Sequence, residues 1–286
     1  MSLKGGRLPM LGKSHRLSRI FDQRSGRTII VPIDDSLISG PQGGLLDLRA
    51  KVAQIANGRP NAVLGFPGHF EQYTELLNRT AWICNLTAST TRSTHTRKVQ
   101  ILSVREAVAL GVDCVAAHVN VTSRFEGDMI ATLGHIIADA RRYGMPVVAI
   151  MYPRREAPDG CDDNYEELKR AESGKYAQLV SHCVRIAKDL GADIIKTQYT
   201  GSTATFQTVA KAAHPIPIVI AGGPLTGKET AIAMALDSVR AGGSGISYGR
   251  NIFDRPDTTA MIRSLRSVII TSLTPETFRL RPTDVR

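Results

Sequence analysis

The chain has 286 residues, of which 42% are hydrophobic and 5% aromatic, and its formal net charge is +10. This composition suffices for a large core, and no apolar run approaches the roughly 18 residues that a membrane span requires. The basic N-terminal residues 1–14 lack the apolar centre of a signal peptide, so we expect a cytoplasmic protein without membrane contact.

The positive charge by itself does not predict a nucleic-acid surface. Lys and Arg residues are scattered, with local clusters only in the N-terminal arm and at residues 91–98, and aromatic residues for base stacking are sparse. Attraction of a small anionic substrate explains the charge equally well, so we expect no nucleic-acid partner.

Short apolar runs alternate with helical patterns along the whole chain. The predicted strands are residues 28–33, 62–65, 81–86, 114–118, 146–151, 194–196, 216–221 and 244–248. Helical spacing covers residues 45–57, 66–78, 103–110, 124–143, 168–190, 202–213, 228–241 and 256–270. The strands lack polar alternation, which is typical of parallel strands buried on both faces. Eight such units predict an α/β fold, a single (β/α)8 TIM barrel, with an open doubly wound sheet as the alternative.

We expect the barrel domain to span residues 21–270. An N-terminal arm, residues 1–20, precedes it, and a polar C-terminal tail, residues 271–286, follows it. No linker or composition shift divides the barrel itself, so one domain is expected.

A lysine closes the sixth predicted strand. In the stretch 192–201 an apolar run ends at Lys196, and small and polar residues follow. Burying an unpaired lysine costs several kcal/mol, so a buried lysine tends to lose its proton. The neutral amine is a nucleophile that forms Schiff bases with carbonyl compounds, and the alternative role is a structural ion pair.

Polar residues stand at the ends of several other predicted strands. The carboxyl ends of barrel strands converge on one site, so these residues are its candidates. Asp35 is either a substrate ligand or a solvated loop acid, and His118 is either a substrate contact or a structural histidine. The full set of candidates is Asp34, Asp35, Asn85, His118, Asn120, Tyr152 and Lys196.

Five motifs occur in order at these strand ends, at residues 32–36, 151–154, 192–197, 220–224 and 248–253. Together they resemble the archaeal-type class I fructose-bisphosphate aldolase family of DeoC/LacD-like aldolases, which also contains 2-amino-3,7-dideoxy-heptulosonate synthase. The resemblance extends from about Arg16 to Ile270. It implies a Schiff-base role for Lys196, proton transfer at the substrate's C–C bond for Tyr152, and a carboxylate role in carbinolamine chemistry for Asp34. It also implies a homo-oligomer, often a decamer.

The first motif departs from the family pattern. The family usually has Asp-His-Gly after the first strand, whereas this chain has Asp34-Asp35-Ser36. An imidazole is lost and a second carboxylate is gained, which leaves Asp34 in place and changes the expected substrate specificity.

Glycine turns follow the last two strands. Gly222 and Gly223 follow the seventh strand, and Gly249 and Arg250 follow the eighth. Backbone N–H groups and a helix N-terminus at these turns form the phosphate site of many barrels. We therefore expect these four residues to bind a substrate phosphate, with simple tight turns as the alternative.

Metal and nucleotide sites are not expected. Residues 222–228 match G-x-x-x-x-G-K, but Glu229 stands where a Walker A loop needs Ser or Thr for magnesium. The histidines lack H-x-x-x-H spacing and the four cysteines lack C-x-x-C spacing, so we expect neither a metal nor another cofactor.

The sequence therefore predicts an aldehyde-lyase, a metal-independent class I aldolase acting on a phosphorylated ketose such as fructose 1,6-bisphosphate. The alternatives are a heptulosonate-synthase-type transaldol enzyme, a thiolase-like acyltransferase on a phosphorylated diketone, and a non-catalytic barrel that binds phosphosugars. The branch with thiolase-type chemistry lacks the Tyr-Pro-Arg segment, so Tyr152 favours aldol chemistry over acyl transfer.

Overall fold

The computed structural model describes residues 11–41, 43–158 and 161–271. Eight parallel strands close into a barrel in which each strand pairs with the next and the last pairs with the first. This confirms the predicted α/β barrel and rules out the open sheet. The strands are β1 (Thr28–Pro32), β2 (Ala62–Gly65), β3 (Ala81–Asn85), β4 (Cys114–Val121), β5 (Val147–Pro153), β6 (Ile194–Gln198), β7 (Ile218–Ala221) and β8 (Gly245–Ser247).

Helices surround the barrel. None of the described helices is both long and apolar enough to cross a membrane. The helix predicted over 168–190 is interrupted at Glu172, whose φ of −136° and ψ of 61° are not helical. The helices are Leu11–Ile20, Asp35–Ile38, Leu48–Gly58, Pro67–Tyr73, Val104–Ala109, Glu126–Arg142, Glu166–Ala171, Ser173–Leu190, Thr203–Ala213, Lys228–Arg240, Arg250–Phe253 and Thr258–Arg266, with a 3-10 turn at Gly43–Leu45 and a π-helical turn at Ser267–Thr271.

Two short antiparallel hairpins were not predicted. One pairs Thr87–Ala88 with Val99–Gln100 in the loop after β3, and the other pairs Arg155–Glu156 with Asp162–Asp163 in the loop after β5. Strands of two residues carry no hydrophobic period, so the sequence pattern does not reveal them.

Side chains alternate between the barrel interior and the helix layer. Ile150 and Ile194 belong to the apolar cluster inside the barrel, whereas Ala149 and Ile195 belong to the cluster under the helices. Successive strand residues point to opposite faces, so Lys196, two residues beyond Ile194, also points inward. The alternation thus places Lys196 inside the barrel, next to the interior apolar cluster that includes Ile150, Ile194 and Val219. We call this part of the cluster the apolar floor.

The helix Leu11–Ile20 closes the N-terminal end of the barrel. Its Ile20 is fully buried and packs in the interior cluster. Lys13 Nζ lies 2.9 Å from Asp193 Oδ1, and Arg19 Nε lies 3.0 Å from Asp113 Oδ1. These carboxylates directly precede β6 and β4, so the ion pairs fix the helix across that end.

The predicted arm and tail are covered in part. From residue 11 onward the arm is a helix packed against the barrel, so this part belongs to the folded unit. Residues 1–10 of the arm and 272–286 of the tail lie outside the described residues.

We predict that Ile20→Ala lowers the free energy of unfolding by about 2–5 kcal/mol, because it opens a cavity in a fully buried position. Urea denaturation followed by circular dichroism measures the change. Leu11→Ala, in the same helix but at a position 83% exposed, is the matched control and should change stability by less than about 0.5 kcal/mol. Equal losses of unfolding free energy in both variants would contradict the packing of Ile20 in the barrel interior.

Candidate active site

A cavity of about 280 Å³ opens at the carboxyl ends of the strands. A larger cleft of about 880 Å³ lies elsewhere and contains none of the candidate residues. The convergence of strand ends was predicted for a barrel, and the smaller cavity is where it occurs. Its lining includes Asp34, Asp35, His118, Tyr152, Lys196, Gly222, Gly223, Gly249 and Arg250.

Lys196 lies deep in this cavity. Its side chain is 7% exposed, and its strand position is in register with Ile150 of β5 and Val219 of β7, both of the interior apolar cluster. Within residues 11–41, 43–158 and 161–271 it has neither a hydrogen bond from its amine nor a carboxylate within 4.0 Å. The alternative of a structural ion pair is therefore not observed there.

Asp34 follows β1 and is held by an amide. Asn85, at the end of β3, donates a hydrogen bond of 3.1 Å from Nδ2 to Asp34 Oδ2. The amide of Asn85 is fixed in turn, because its Oδ1 accepts a 3.2 Å hydrogen bond from the backbone N–H of Thr87. Asp34 is 8% exposed, so its carboxylate is held almost inside the barrel.

An imidazole reaches the first loop from a different element. The backbone N–H of Phe66 donates to His69 Nδ1 at 3.2 Å, so the ring proton is on Nε2, which lies 3.3 Å from Ser36 Oγ. Burial lowers the pKa of His69, with the charge of Asp34 opposing the shift. The helix Pro67–Tyr73 thus brings an imidazole to Ser36, in the loop after β1.

His118 and Tyr152 form a pair of rings on one wall. Their ring centroids are 4.9 Å apart in an edge-to-face arrangement of 82°. Burial, reinforced by the charges of Lys98 and Arg154, holds the pKa of His118 well below its usual range, so the imidazole is neutral. His118 Nε2 is buried and has no hydrogen-bond partner in the described part of the chain, which leaves it available to a ligand.

The two glycine turns are joined by one amide. Asn251 is fully buried, and its Nδ2 donates to the carbonyl oxygens of Gly222 at 2.8 Å and Pro224 at 2.9 Å. Its Oδ1 accepts a 3.0 Å hydrogen bond from the backbone N–H of Thr226. Gly223 has a φ of +66°, which favours glycine. Hydrogen bonds of this one side chain thus join the loops after β7 and β8.

A second buried lysine lines the same cavity, and we did not predict it from the sequence. Lys98 is 4% exposed and its Nζ donates a 2.6 Å hydrogen bond to Ser89 Oγ. Burial, with the charge of Arg154, lowers the pKa of Lys98 to about 7. Its signal in the sequence is the basic cluster 91–98, in the loop that follows the third predicted strand.

Glu156 holds together the loops after β3, β4 and β5. Its carboxylate accepts hydrogen bonds from the hydroxyl of Thr96 and, at 2.9 Å, from Ser123 Oγ. It also accepts from the backbone N–H of Arg124 at 3.3 Å. Burial would raise the pKa of Glu156, but these hydrogen bonds lower it overall, so the group is ionised.

No group of three or more His, Cys, Asp or Glu side chains within the described ranges is arranged to hold a metal ion. The groups present in the cavity are amines, a phenol, carboxylates and a neutral imidazole. They can form a Schiff base and transfer protons around it.

Comparisons with known proteins agree with this chemistry. A model of the DeoC/LacD family aldolases matches residues 28–255. The chain is 34% identical over 266 residues to a 2-amino-3,7-dideoxy-D-threo-hept-6-ulosonate synthase of Halobacterium salinarum, covering 93% of this chain and 94% of the relative. It is also 34% identical over 260 residues to a 2-amino-4,5-dihydroxy-6-oxo-7-(phosphonooxy)heptanoate synthase of Streptomyces griseus, covering 90% of each.

Solved structures of archaeal aldolases share the architecture. A crystal structure of an archaeal fructose 1,6-bisphosphate aldolase matches with a TM-score of 0.78 at 28% identity, covering 90% of this chain and 98% of the other. A structure of such an aldolase with its catalytic lysine covalently bound to the carbinolamine intermediate matches with a TM-score of 0.78 at 27% identity, covering 90% and 99%.

The low pKa of Lys98 makes stability depend on pH. The folded chain releases this proton near pH 7 and the unfolded chain near its ordinary value of 10.5, so the unfolded state binds more protons between these values. We predict that the unfolding free energy of the wild type, minus that of Lys98→Met, rises by about 2 kcal/mol between pH 7 and pH 9.

Urea denaturation at the two pH values measures this difference. Lys211→Met, which removes an exposed lysine, is the control and should not change the pH dependence. A wild-type-minus-variant difference for Lys98→Met that stays constant from pH 7 to pH 9 would show that Lys98 titrates outside this range.

Proposed function

The chain belongs to the DeoC/LacD family of aldolases, and we propose that Lys196 forms a Schiff base with a phosphorylated ketone in its reaction. One observation carries this proposal. The amine of Lys196 is buried on an apolar floor, and in the described part of the chain no carboxylate within 4.0 Å neutralises it. An amine held in the cavity without an ion-pair partner among the described residues is placed to attack a bound ketone and form a Schiff base.

The reaction begins at the ketone carbon. The Lys196 nitrogen forms a bond to that carbon and gives up a proton, and the carbonyl oxygen takes up a proton, which gives a carbinolamine. A second proton on this oxygen lets it leave as water, which gives an iminium ion. In cleavage, the hydroxyl group on the β carbon gives up its proton and the electron pair of the bond between the α and β carbons moves toward the iminium to form an enamine. The β carbon leaves as an aldehyde. In synthesis, the enamine carbon attacks an aldehyde, whose oxygen becomes a hydroxyl group.

Tyr152 and Asp34 are the proton-transfer groups that we assign to these steps. The Tyr152 ring is held by its edge-to-face contact with His118 and lines the cavity. Asp34 is held by Asn85 close to the barrel interior. We assign Tyr152 to the proton exchanged at the reacting C–C bond and Asp34 to carbinolamine formation and loss of water.

The phosphate of the ketone is assigned to the turns after β7 and β8. Gly222, Gly223, Gly249 and Arg250 all line the cavity at these turns. The buried hydroxyl of Ser247 lines it as well and has no hydrogen-bond partner among the described residues. Backbone N–H groups, a guanidinium and a free hydroxyl together suit a phosphate.

For the overall reaction we favour a heptulosonate-synthase-type condensation. The relatives with this activity are 34% identical to this chain over at least 90% of its length. A 2-amino-4,5-dihydroxy-6-oxo-7-phosphonooxy product divides at the bond between its hydroxyl-bearing carbons into a three-carbon phosphorylated hydroxyketone and a four-carbon aldehyde. Lys196 would form its Schiff base with the phosphorylated hydroxyketone, and the four-carbon aldehyde would be the acceptor.

Fructose 1,6-bisphosphate is the second candidate substrate, favoured by the structural likeness to archaeal aldolases that act on it. A thiolase-like acyltransferase and a non-catalytic phosphosugar-binding barrel remain as alternatives. The first would depend on coenzyme A, and the second would bind its ligand equally well without Lys196. We further propose a cytoplasmic location and a homo-oligomeric assembly, on the basis of the resemblance in the sequence.

We predict that borohydride reduction in the presence of dihydroxyacetone phosphate leaves a stable adduct on Lys196, because reduction converts the iminium to a secondary amine. Peptide mass spectrometry identifies the modified residue. Lys196→Met should give no adduct, and Lys211→Met should give the wild-type yield. Folded protein that forms no Lys196 adduct with this ketone, fructose 1,6-bisphosphate or other phosphorylated ketoses would exclude the Schiff-base mechanism.

We predict that Tyr152→Phe lowers kcat by roughly 100- to 10,000-fold, the range for loss of a general acid or base, while the Lys196 adduct still forms. The substitution keeps the ring that packs against His118 and removes only the phenol oxygen. Turnover and adduct yield are measured on the same preparation. If this variant kept the wild-type turnover, another group would have to transfer the proton.

A further inference from the structure

Lys98 stands on the side of the cavity opposite the assigned phosphate site. It belongs to the loop after β3, and the glycine turns follow β7 and β8. In a ring of eight strands, β3 and β7 are four places apart and so face each other across the barrel. If the ketone is bound at Lys196 with its phosphate at the turns after β7 and β8, the space for the aldehyde acceptor lies on the side of Lys98.

The hydrogen bonds around His95 fix the direction in which Lys98 can donate. Arg154 Nη1, which can only donate, lies 2.9 Å from His95 Nε2, so that nitrogen carries no proton. Burial, together with the charges of Lys98 and Arg154, lowers the pKa of His95 to about 3, so the ring is neutral with its proton on Nδ1.

The Ser89 hydroxyl donates to the His95 carbonyl at 2.9 Å, so Ser89 Oγ accepts from Lys98 Nζ. Protonated Lys98 has three N–H groups, and the neighbouring His95 Nδ1, 3.3 Å away, is itself a donor. Two N–H groups of the ammonium therefore have no acceptor among the described residues, although the side chain is only 4% exposed and lines the cavity.

The positive charge of Lys98 also lacks a close counter-ion. None of the described carboxylates comes within 4.0 Å of Nζ. Asp162 Oδ2 lies 3.8 Å from Nη1 of the neighbouring cation Arg154, so this carboxylate already pairs with Arg154. A buried cation with free N–H groups and no ion-pair partner is a site that lacks its anion.

We infer that Lys98, with Arg154 beside it, binds an anionic group at the remote end of the aldehyde, and that this group is a carboxylate. The inference rests on the proposed function, because it assigns the acceptor half of that reaction. The low pKa of Lys98 agrees with it, since a bound anion would restore the charged form.

The proposed reaction identifies the anion as a carboxylate. The product named for the Streptomyces relative is a heptanoate, whose four-carbon aldehyde half carries its carboxylate at the end remote from the new C–C bond. Asp34, Asp35 and Asp162 act on Lys98 only at longer range and offset part of its charge.

The test measures acceptor selectivity with dihydroxyacetone phosphate as the donor. The acceptors are 4-oxobutanoate, butanal and glyceraldehyde 3-phosphate, which carry a carboxylate, no charge and a phosphate. The ratio of kcat/KM for 4-oxobutanoate to that for butanal should exceed one in the wild type. It should fall roughly 10- to 100-fold in Lys98→Met, the range for losing a charged hydrogen bond, and recover in part in Lys98→Arg.

The borohydride adduct on Lys196 is the internal check. Its formation in Lys98→Met shows that the variant is folded, and Lys211→Met should keep the wild-type ratio. If Lys98→Met and Arg154→Met both form the adduct and keep the wild-type ratio of kcat/KM for 4-oxobutanoate to butanal, this inference alone is overturned. A wild type that prefers glyceraldehyde 3-phosphate to 4-oxobutanoate also overturns it. A wild type that forms no adduct overturns the proposed function, and this inference with it.

Discussion

The burial of an amine above an apolar floor is the constraint on which the rest of this structure depends. Inside the barrel, Ile150, Ile194 and Val219 surround the strand level at and just below Lys196. Closure leaves the barrel sheet without an edge strand, so each strand has hydrogen-bonding neighbours on both sides of an apolar interior. The same closure brings the polar strand ends together around the amine.

Much of this arrangement follows from the sequence. The strands are apolar runs bounded by polar residues, and the residue that ends each run is carried to the mouth of the barrel whatever the exact strand length. Tyr152 is an example, because β5 extends through Pro153, beyond the predicted end at 151, and still delivers the ring to the cavity. Strand-borne site residues are therefore predictable.

Residues carried by loops and helices are not predictable in this way. Lys98 and Asp162 reach the cavity only because two hairpins of two-residue strands fold over it, and such strands leave no hydrophobic period. His69 arrives from a helix, and its contact with Ser36 depends on how that helix packs. Asn251 belongs to the motif at residues 248–253, but the motif alone does not reveal that its amide joins two loops.

The helix beneath the barrel has a kinetic consequence. Ile20 of the helix Leu11–Ile20 fills the N-terminal end of the barrel interior, and the cavity around Lys196 opens at the carboxyl ends of the strands. In the proposed reaction, ketone and aldehyde would then use the same opening, and Lys196 lies at its inner end. A ketone that has to reach this inner amine would enter first, so the depth of Lys196 predicts ordered binding, ketone before aldehyde.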